Sequence, residues 1–205
     1  MQSRTRIVNG LVVMMALMLS ACGATSVVVD GSYPTPNVGP MPLNLGVVFN
    51  DELLDHRYIE YSDRDREEYV ISSGRSHVEL FNTILPAMFG NVVVLDSLDA
   101  AAAAGVDAVF VPRIDEFQLA LPQKTRLDVY EVWIRYNMRL ASPSGTTIAD
   151  WVMTAYGKVP QEGMRSAERS INEATVAALR DLGSSFTLGF SSVPDVRDWL
   201  VAQAP

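Results

Sequence analysis

Hydrophobic and polar residues alternate most regularly between Glu131 and Leu140. Val132, Ile134, Tyr136, Met138 and Leu140 fall on one side of an extended chain, and Glu131, Trp133, Arg135, Asn137 and Arg139 on the other. That period of two predicts a half-buried strand. Ser142-Pro143-Ser144-Gly145 follows, a turn in which proline presets φ and glycine accepts a positive φ. The segment Thr147 to Tyr156 is expected to return beside the strand as a hairpin.

Other segments carry weaker patterns of the same kinds. Leu43 to Asn50 predicts a strand with Leu45, Val47 and Phe49 on one face and Gly46 and Val48 on the other. Ser76 to Phe89 has a helical stripe at Leu80, Phe81, Ile84, Leu85, Met88 and Phe89, with Ser76 as N-cap, Gly90 as stop and Pro86 bending the last turn. Asn91 to Leu95 predicts a short strand and Asp99 to Gly105 a helical turn. Ala108 to Leu121 is strand-like, and Pro112 within it requires a sheet edge or a bulge. A long amphipathic helix is expected from Gly163 to Phe186, its buried stripe running through Met164, Ala167, Ile171, Ala174, Ala178, Leu179 and Leu182. The tail from Ser192 reads as a short capped helix docked through Trp199. The order of elements predicts an α+β fold, a mostly antiparallel sheet with two principal helices on one face and a short C-terminal helix.

Residues 1 to 21 have the parts of a secretory leader: Arg4 and Arg6, an apolar run from Gly10 to Leu19, and a small-residue end. The run is shorter than the roughly 20 residues that cross a bilayer as a helix, so a cleaved signal is expected. Leu19-Ser20-Ala21-Cys22 then contains the only cysteine of the chain. These four residues resemble the lipobox of bacterial lipoproteins. The resemblance implies a diacylglyceryl group on Cys22, cleavage before it and acylation of the new amine. It also implies outer-membrane residence facing the periplasm, because Gly23 and Ala24, rather than an aspartate, follow the cysteine. Two or more acyl chains hold a protein stably on a membrane where one does so marginally.

With 205 residues, the chain has enough length after the leader for one domain over 43–205. Residues 22–42, with Pro34, Pro36, Pro40 and Pro42 between Gly31 and Gly39, read as a lipidated flexible tether of roughly 60 Å reach. The alternative is that Val27-Val28-Val29 folds back as an edge strand. Net charge is −8 and falls further once the leader's arginines are removed, which argues against nucleic acid and against a basic membrane patch. No thiol remains for a disulfide framework.

Catalytic motifs fail on inspection. His56 and His77 lack partners at metal-ligand spacing, so each reads as a surface or capping residue and no metal or cofactor is expected. Gly74-Arg75-Ser76-His77-Val78 has valine where a nucleophile elbow needs glycine. Asp63-Arg64-Asp65-Arg66-Glu67 opens like a calcium loop, yet Glu68 replaces the required glycine and Gly74 the closing glutamate. Asp51 to Glu68 otherwise reads as a solvated charged segment. Asp51, Glu52, Asp55, Asp115 and Glu116 support glycan cleavage only if two of them converge across a cleft.

The outward face of the hairpin is the most suggestive remaining feature: Trp133, Arg135 and Arg139, with Trp151 across the turn, form a candidate partner surface of hot-spot residue types. Either a helix covers Trp133 as ordinary core or it is exposed for contact. In element order the chain resembles lipopolysaccharide-assembly lipoproteins, auxiliary lipoproteins of lipid-transport ABC systems and the N-terminal module of the Tol-system propeller protein. That resemblance implies a non-enzymatic protein that docks with another envelope component. A lipid-anchored module that binds or hydrolyses cell-wall glycan is the alternative.

Overall fold

The computed structural model describes residues 24–62, 67–125, 127–163 and 165–203. Its frame is a five-stranded mixed sheet built from β2 (Met41–Val47), β5 (Phe89–Val94), β6 (Ala108–Ala120), β7 (Val129–Ala141) and β8 (Thr147–Pro160), in the order β5-β2-β6-β7-β8. The β6–β7 and β7–β8 pairs are long and antiparallel, whereas β2 pairs parallel with both β5 and β6. A second sheet, β1-β4-β3, is made from β1 (Thr25–Val28), β3 (Arg57–Ser62) and β4 (Glu67–Ser72). The fold is α+β, as the element order predicts.

Two helices seal one face of the large sheet. Helix α2 (Gly74–Met88) follows the single turn α1 (Asp51–Leu54), and α5 (Ala167–Gly189) follows the short helices α3 (Ala101–Ala104) and α4 (Pro122–Thr125). The predicted stripe of α5 is the buried one: Ile171, Ala174, Ala178, Leu179 and Leu182 are fully covered, while Met164 lies outside the described residues. Small residues set the spacing. A Cβ on Gly157 of β8 would sit 2.1 Å from the carbonyl oxygen of Ala174 and 2.4 Å from the amide nitrogen of Ala178, so only glycine lets α5 lie this close. Helix α6 (Pro194–Gln203) closes the end, with Trp199 and Leu200 packed on the core.

Phe81, Phe110, Phe186 and Phe190 meet between the layers at ring separations of 5.1 to 6.0 Å. On the other face, Leu95, Ala101, Val106 and Val109 form a small satellite core under the connection through α3.

Several expectations are corrected. Residues 25–42 are not a tether: Val27 and Val29 are buried, β1 pairs in parallel with β4, and Asp30 and Asn172 exchange two hydrogen bonds. The segment holds because Val27 and Val29 bury apolar surface that a free chain would leave in water. Helix α2 begins earlier than predicted, with Ser73 as N-cap residue; Ser76 is inside the helix and donates to the Val29 carbonyl. Residues 51–62 and 67–68 are not a featureless charged face but supply α1, β3 and the start of β4. Pro112 does sit at a local edge: β2 pairs β6 only through Ala108–Phe110, and a bulge follows between Ile114 and Glu116.

Candidate binding face of the large sheet

The alternation of β7 is realised residue for residue: Val132, Ile134, Tyr136, Met138 and Leu140 are buried against the helices, and the intervening residues are partly exposed on the opposite face. Three cross-strand rows organise that outer face. Gln118, Trp133 and Tyr156 form the central row, flanked by Glu116-Arg135-Thr154 and by Ala120-Glu131-Lys158. Glu116, Gln118, Ala120, Glu131, Trp133 and Tyr156 line a shallow concavity of about 460 Å³.

Charges on this face answer one another. Arg135 Nη2 lies 3.3 Å from Glu116 and its Nε 4.0 Å from Asp115, the residue extruded by the β6 bulge. Tyr156 donates its hydroxyl to Glu131, and beside that carboxylate its own pKa is raised. The backbone amide of Tyr156 points off the free edge of β8, where the Asp181 carboxylate of α5 accepts it at 3.0 Å. The Arg135 guanidinium and the Tyr156 phenol on either side of the indole are thus held by charged neighbours rather than by burial.

Of the sequence-predicted site residues, Trp133 and Arg135 share this open patch. Arg139 lies toward the far end of the same face and donates to the Gly145 carbonyl of the hairpin turn at 3.3 Å. Trp151 is on the opposite face. It pairs with Met138 and packs on Phe110, Phe186 and Phe190, because a register shift between Leu140 and Ala141 turns the returning strand over. Cys22 and the residues 63–66 of the calcium-like loop lie outside the described residues. Of the five candidate acids, only Glu116 lines the concavity; Asp51 and Glu52 are exposed on the first turn of α1. Among the described residues no three His, Cys, Asp or Glu side chains gather as a metal site.

A polar chain in the interior was missed from the sequence. His56 Nδ1 lies 2.7 Å from Ser73 Oγ, Ser73 Oγ 3.0 Å from His77 Nε2, and His77 Nδ1 2.8 Å from the Tyr136 hydroxyl. The histidines are therefore not surface residues: His77 is fully buried and His56 partly so. Tyr136 is also fully buried, and its proton needs an acceptor. The assignment that gives the buried Tyr136 proton an acceptor has Tyr136 donating to His77 Nδ1, His77 Nε2 donating to Ser73, and Ser73 donating to His56 Nδ1. Both imidazoles are neutral in this arrangement. Burial drives the His56 pKa down to about 4 and that of His77 down to about 3, the latter aided by its neighbour His56. Ser73 is 1% exposed, so the chain is a packing device and not a nucleophile facing a substrate. The signal was present in the Ser73/His77 spacing, which puts both side chains on one face of a helix start.

This architecture has relatives of known structure. The chain is similar to protein XCC0632 of Xanthomonas campestris, of family DUF330. The TM-score is 0.54 at 13% identity, over 89% of this chain and 99% of that one. A minor lipoprotein of Acinetobacter baumannii aligns at a TM-score of 0.41 and 12% identity, covering 75% of this chain and 94% of its own. Rare lipoprotein B of Shewanella oneidensis aligns at 0.39 and 15%, covering 76% and 98%. No family model and no curated protein matches the sequence. Among the described residues no helix is long and apolar enough to cross a membrane.

Proposed function

We propose that this chain is a non-enzymatic outer-membrane lipoprotein, anchored through Cys22, whose periplasmic domain docks onto another envelope protein in assembly or transport. One observation carries the reading. The large sheet is sealed by helices on one side, while on the other it presents Trp133 in an open concavity, with Arg135 paired to Glu116 at its margin. Aromatic and arginine side chains held in place by neighbours are the groups that dominate protein contacts, because they bury large area at little ordering cost. Of the acidic residues weighed for glycan hydrolysis, Asp115 and Glu116 are engaged with Arg135, which favours docking over the enzymatic alternative at this face.

The test is site-specific photo-crosslinking in intact cells from Thr154, which neighbours Arg135 across the β7–β8 pair. One envelope protein is expected as the principal adduct. Trp133→Ala together with Arg135→Ala should reduce that adduct about tenfold or more while the melting temperature stays within a few degrees. Recovery of no envelope protein, or an adduct indifferent to both substitutions, would overturn the docking reading. Metabolic palmitate labelling that survives Cys22→Ser would overturn the anchor.

A further inference from the structure

A separate feature lies at the other side of the domain. Residues 34–43 cross over the C-terminal halves of α2 and α5, and beneath them run two concavities of about 540 and 300 Å³ that share Val38 and Thr187. They make one groove. Along α5 it extends from Arg180 to Leu188, roughly 12 Å at the rise of an α-helix, and it continues past the helix end to Phe190 and Ser191. Its size is that of a small-molecule site and its walls are mostly apolar.

Polarity is distributed unevenly along the groove. Among the described residues the larger section, lined by Val38, Met41, Leu43, Phe190 and Leu200 among others, contains no charged residue, and Arg180 is the one charge in the smaller section. The helix hydroxyls in the wall are turned back on their own helix: Thr187 donates to the Gly183 carbonyl at 2.7 Å and Ser184 to that of Arg180 at 3.0 Å. A peptide backbone would find few side-chain partners there, whereas an alkyl chain asks for none. Arg180 is different. Its Nε donates to the Ser32 carbonyl at 3.0 Å and its Nη2 lies 3.4 Å from the Ser32 hydroxyl, which orients the guanidinium and leaves donors of the fork open. Among the described residues it has no carboxylate within 4 Å, in a chain whose net charge is −8.

We infer that this groove binds a single-chain anionic amphiphile of the fatty-acid type, its head group on Arg180 and its alkyl chain lying between the 34–43 crossover and α5. The charge complement is local: one cation at one end, and hydrocarbon from there on. The site is on the helical side of the sheet, away from the Trp133 face, and it stands or falls independently of the docking reading.

The experiment uses the full lipidated chain reconstituted in phosphatidylethanolamine vesicles. The probes are palmitic acid carrying a terminal diazirine and the corresponding uncharged fatty alcohol. After irradiation, adducts of the acid are expected on peptides from 34–43 and 187–203. Arg180→Gln should lower acid labelling at least about tenfold relative to the alcohol, and Arg180→Lys should retain most of it. Gly39→Phe, at a rim position where a Cβ meets nothing within 4 Å, should lower labelling by both probes by placing a ring at the mouth of the larger section. Labelling scattered along the chain, or unchanged in Arg180→Gln and Gly39→Phe, overturns the inference. So does a groove occupied instead by a second copy, seen as a chain-to-chain crosslink from Leu188, or acid labelling abolished by phosphatidylglycerol vesicles but not by unlabelled palmitate.

Discussion

Acidification tests the buried His56-Ser73-His77-Tyr136 chain most directly. In the unfolded protein both imidazoles titrate near 6.5, whereas in the fold His56 accepts a proton only near pH 4 and His77 near pH 3. Folded pKa values below the unfolded ones mean that the unfolded state binds more protons between these limits. Stability is therefore complete above about pH 7 and is lost as pH falls from 6.5 toward 4 for His56 and toward 3 for His77. At pH 5 each histidine contributes a slope of roughly 1 kcal/mol per pH unit or a little over, the pair between about 2 and 3. Integrated from pH 7 to 4.5, the two amount to about 5 kcal/mol, which is on the order of the whole stability of a small domain.

Urea unfolding of wild type, His56→Gln and His77→Gln, followed by tryptophan fluorescence at half-unit steps from pH 7.5 to 4.5, separates these contributions from those of the carboxylates. Each variant starts from its own stability, and His77→Gln starts lower because Tyr136 and Ser73 lose their partner. What matters is the slope: each substitution should remove roughly 1 kcal/mol per pH unit, or a little over, near pH 5. Slopes identical in all three proteins would refute neutral, buried imidazoles. Tyr136→Phe, which frees His77 Nδ1 to accept a proton, should shallow the slope without abolishing it.

Three further outcomes follow from packing. Gly157→Ala should cost at least about 3 kcal/mol by urea titration, because the new Cβ meets backbone atoms of α5 that cannot give way. Val27→Ala should cost about 2 kcal/mol, against the near-zero effect expected of a free tether, since the Val27 side chain is fully buried in β1. Phe186→Ala should lose about 3 to 5 kcal/mol in thermal or urea unfolding, whereas Trp133→Ala should lose about 1 and leave the core intact.

Which parts of this were legible depends on how local the determining forces are. β7 and the stripe of α5 were readable because their period is written within a dozen residues and each buries one side. β1 was legible only as the alternative to a tether, an edge strand at Val27-Val28-Val29, since its partner β4 lies some forty residues away in a parallel pair that no local pattern announces. The mixed character of the large sheet has the same origin: β2 joins β5 through the α2 crossover, and order of elements alone does not fix which strands become neighbours. Trp151 failed for a finer reason. Counting straight back from Ala141 and Thr147 places Trp151 opposite Asn137 on the outer face. The shift beside Leu140 moves it opposite Met138, and a one-residue slip exchanges the faces of the whole strand.

The recovered β1 also changes what an anchor on Cys22 would do. Thr25 is the first strand residue, and three residues of extended chain span at most roughly 11 Å, not the 60 Å of a stand-off tether. A lipidated Cys22 would therefore hold the domain against the membrane by the end where β1 begins, beside Tyr69 and the β3–β4 hairpin. That is also the end where β7 starts, for Glu67 of β4 bears electrostatically on Tyr130. Along β7 the Trp133–Arg135 patch then lies nearer the lipid than Arg139 and the hairpin turn do. The groove beneath residues 34–43 runs toward the opposite end, where Phe190 meets Trp151 and Phe89. On the proposed docking reading, a protein partner for Trp133 would then present structure close to the membrane surface. Inserting ten glycine and serine residues between Ala24 and Thr25 tests this: it should leave folding and lipidation unchanged while lowering the in-cell adduct from Thr154 several-fold, and an adduct insensitive to the spacer would mean that height above the membrane plays no part in docking.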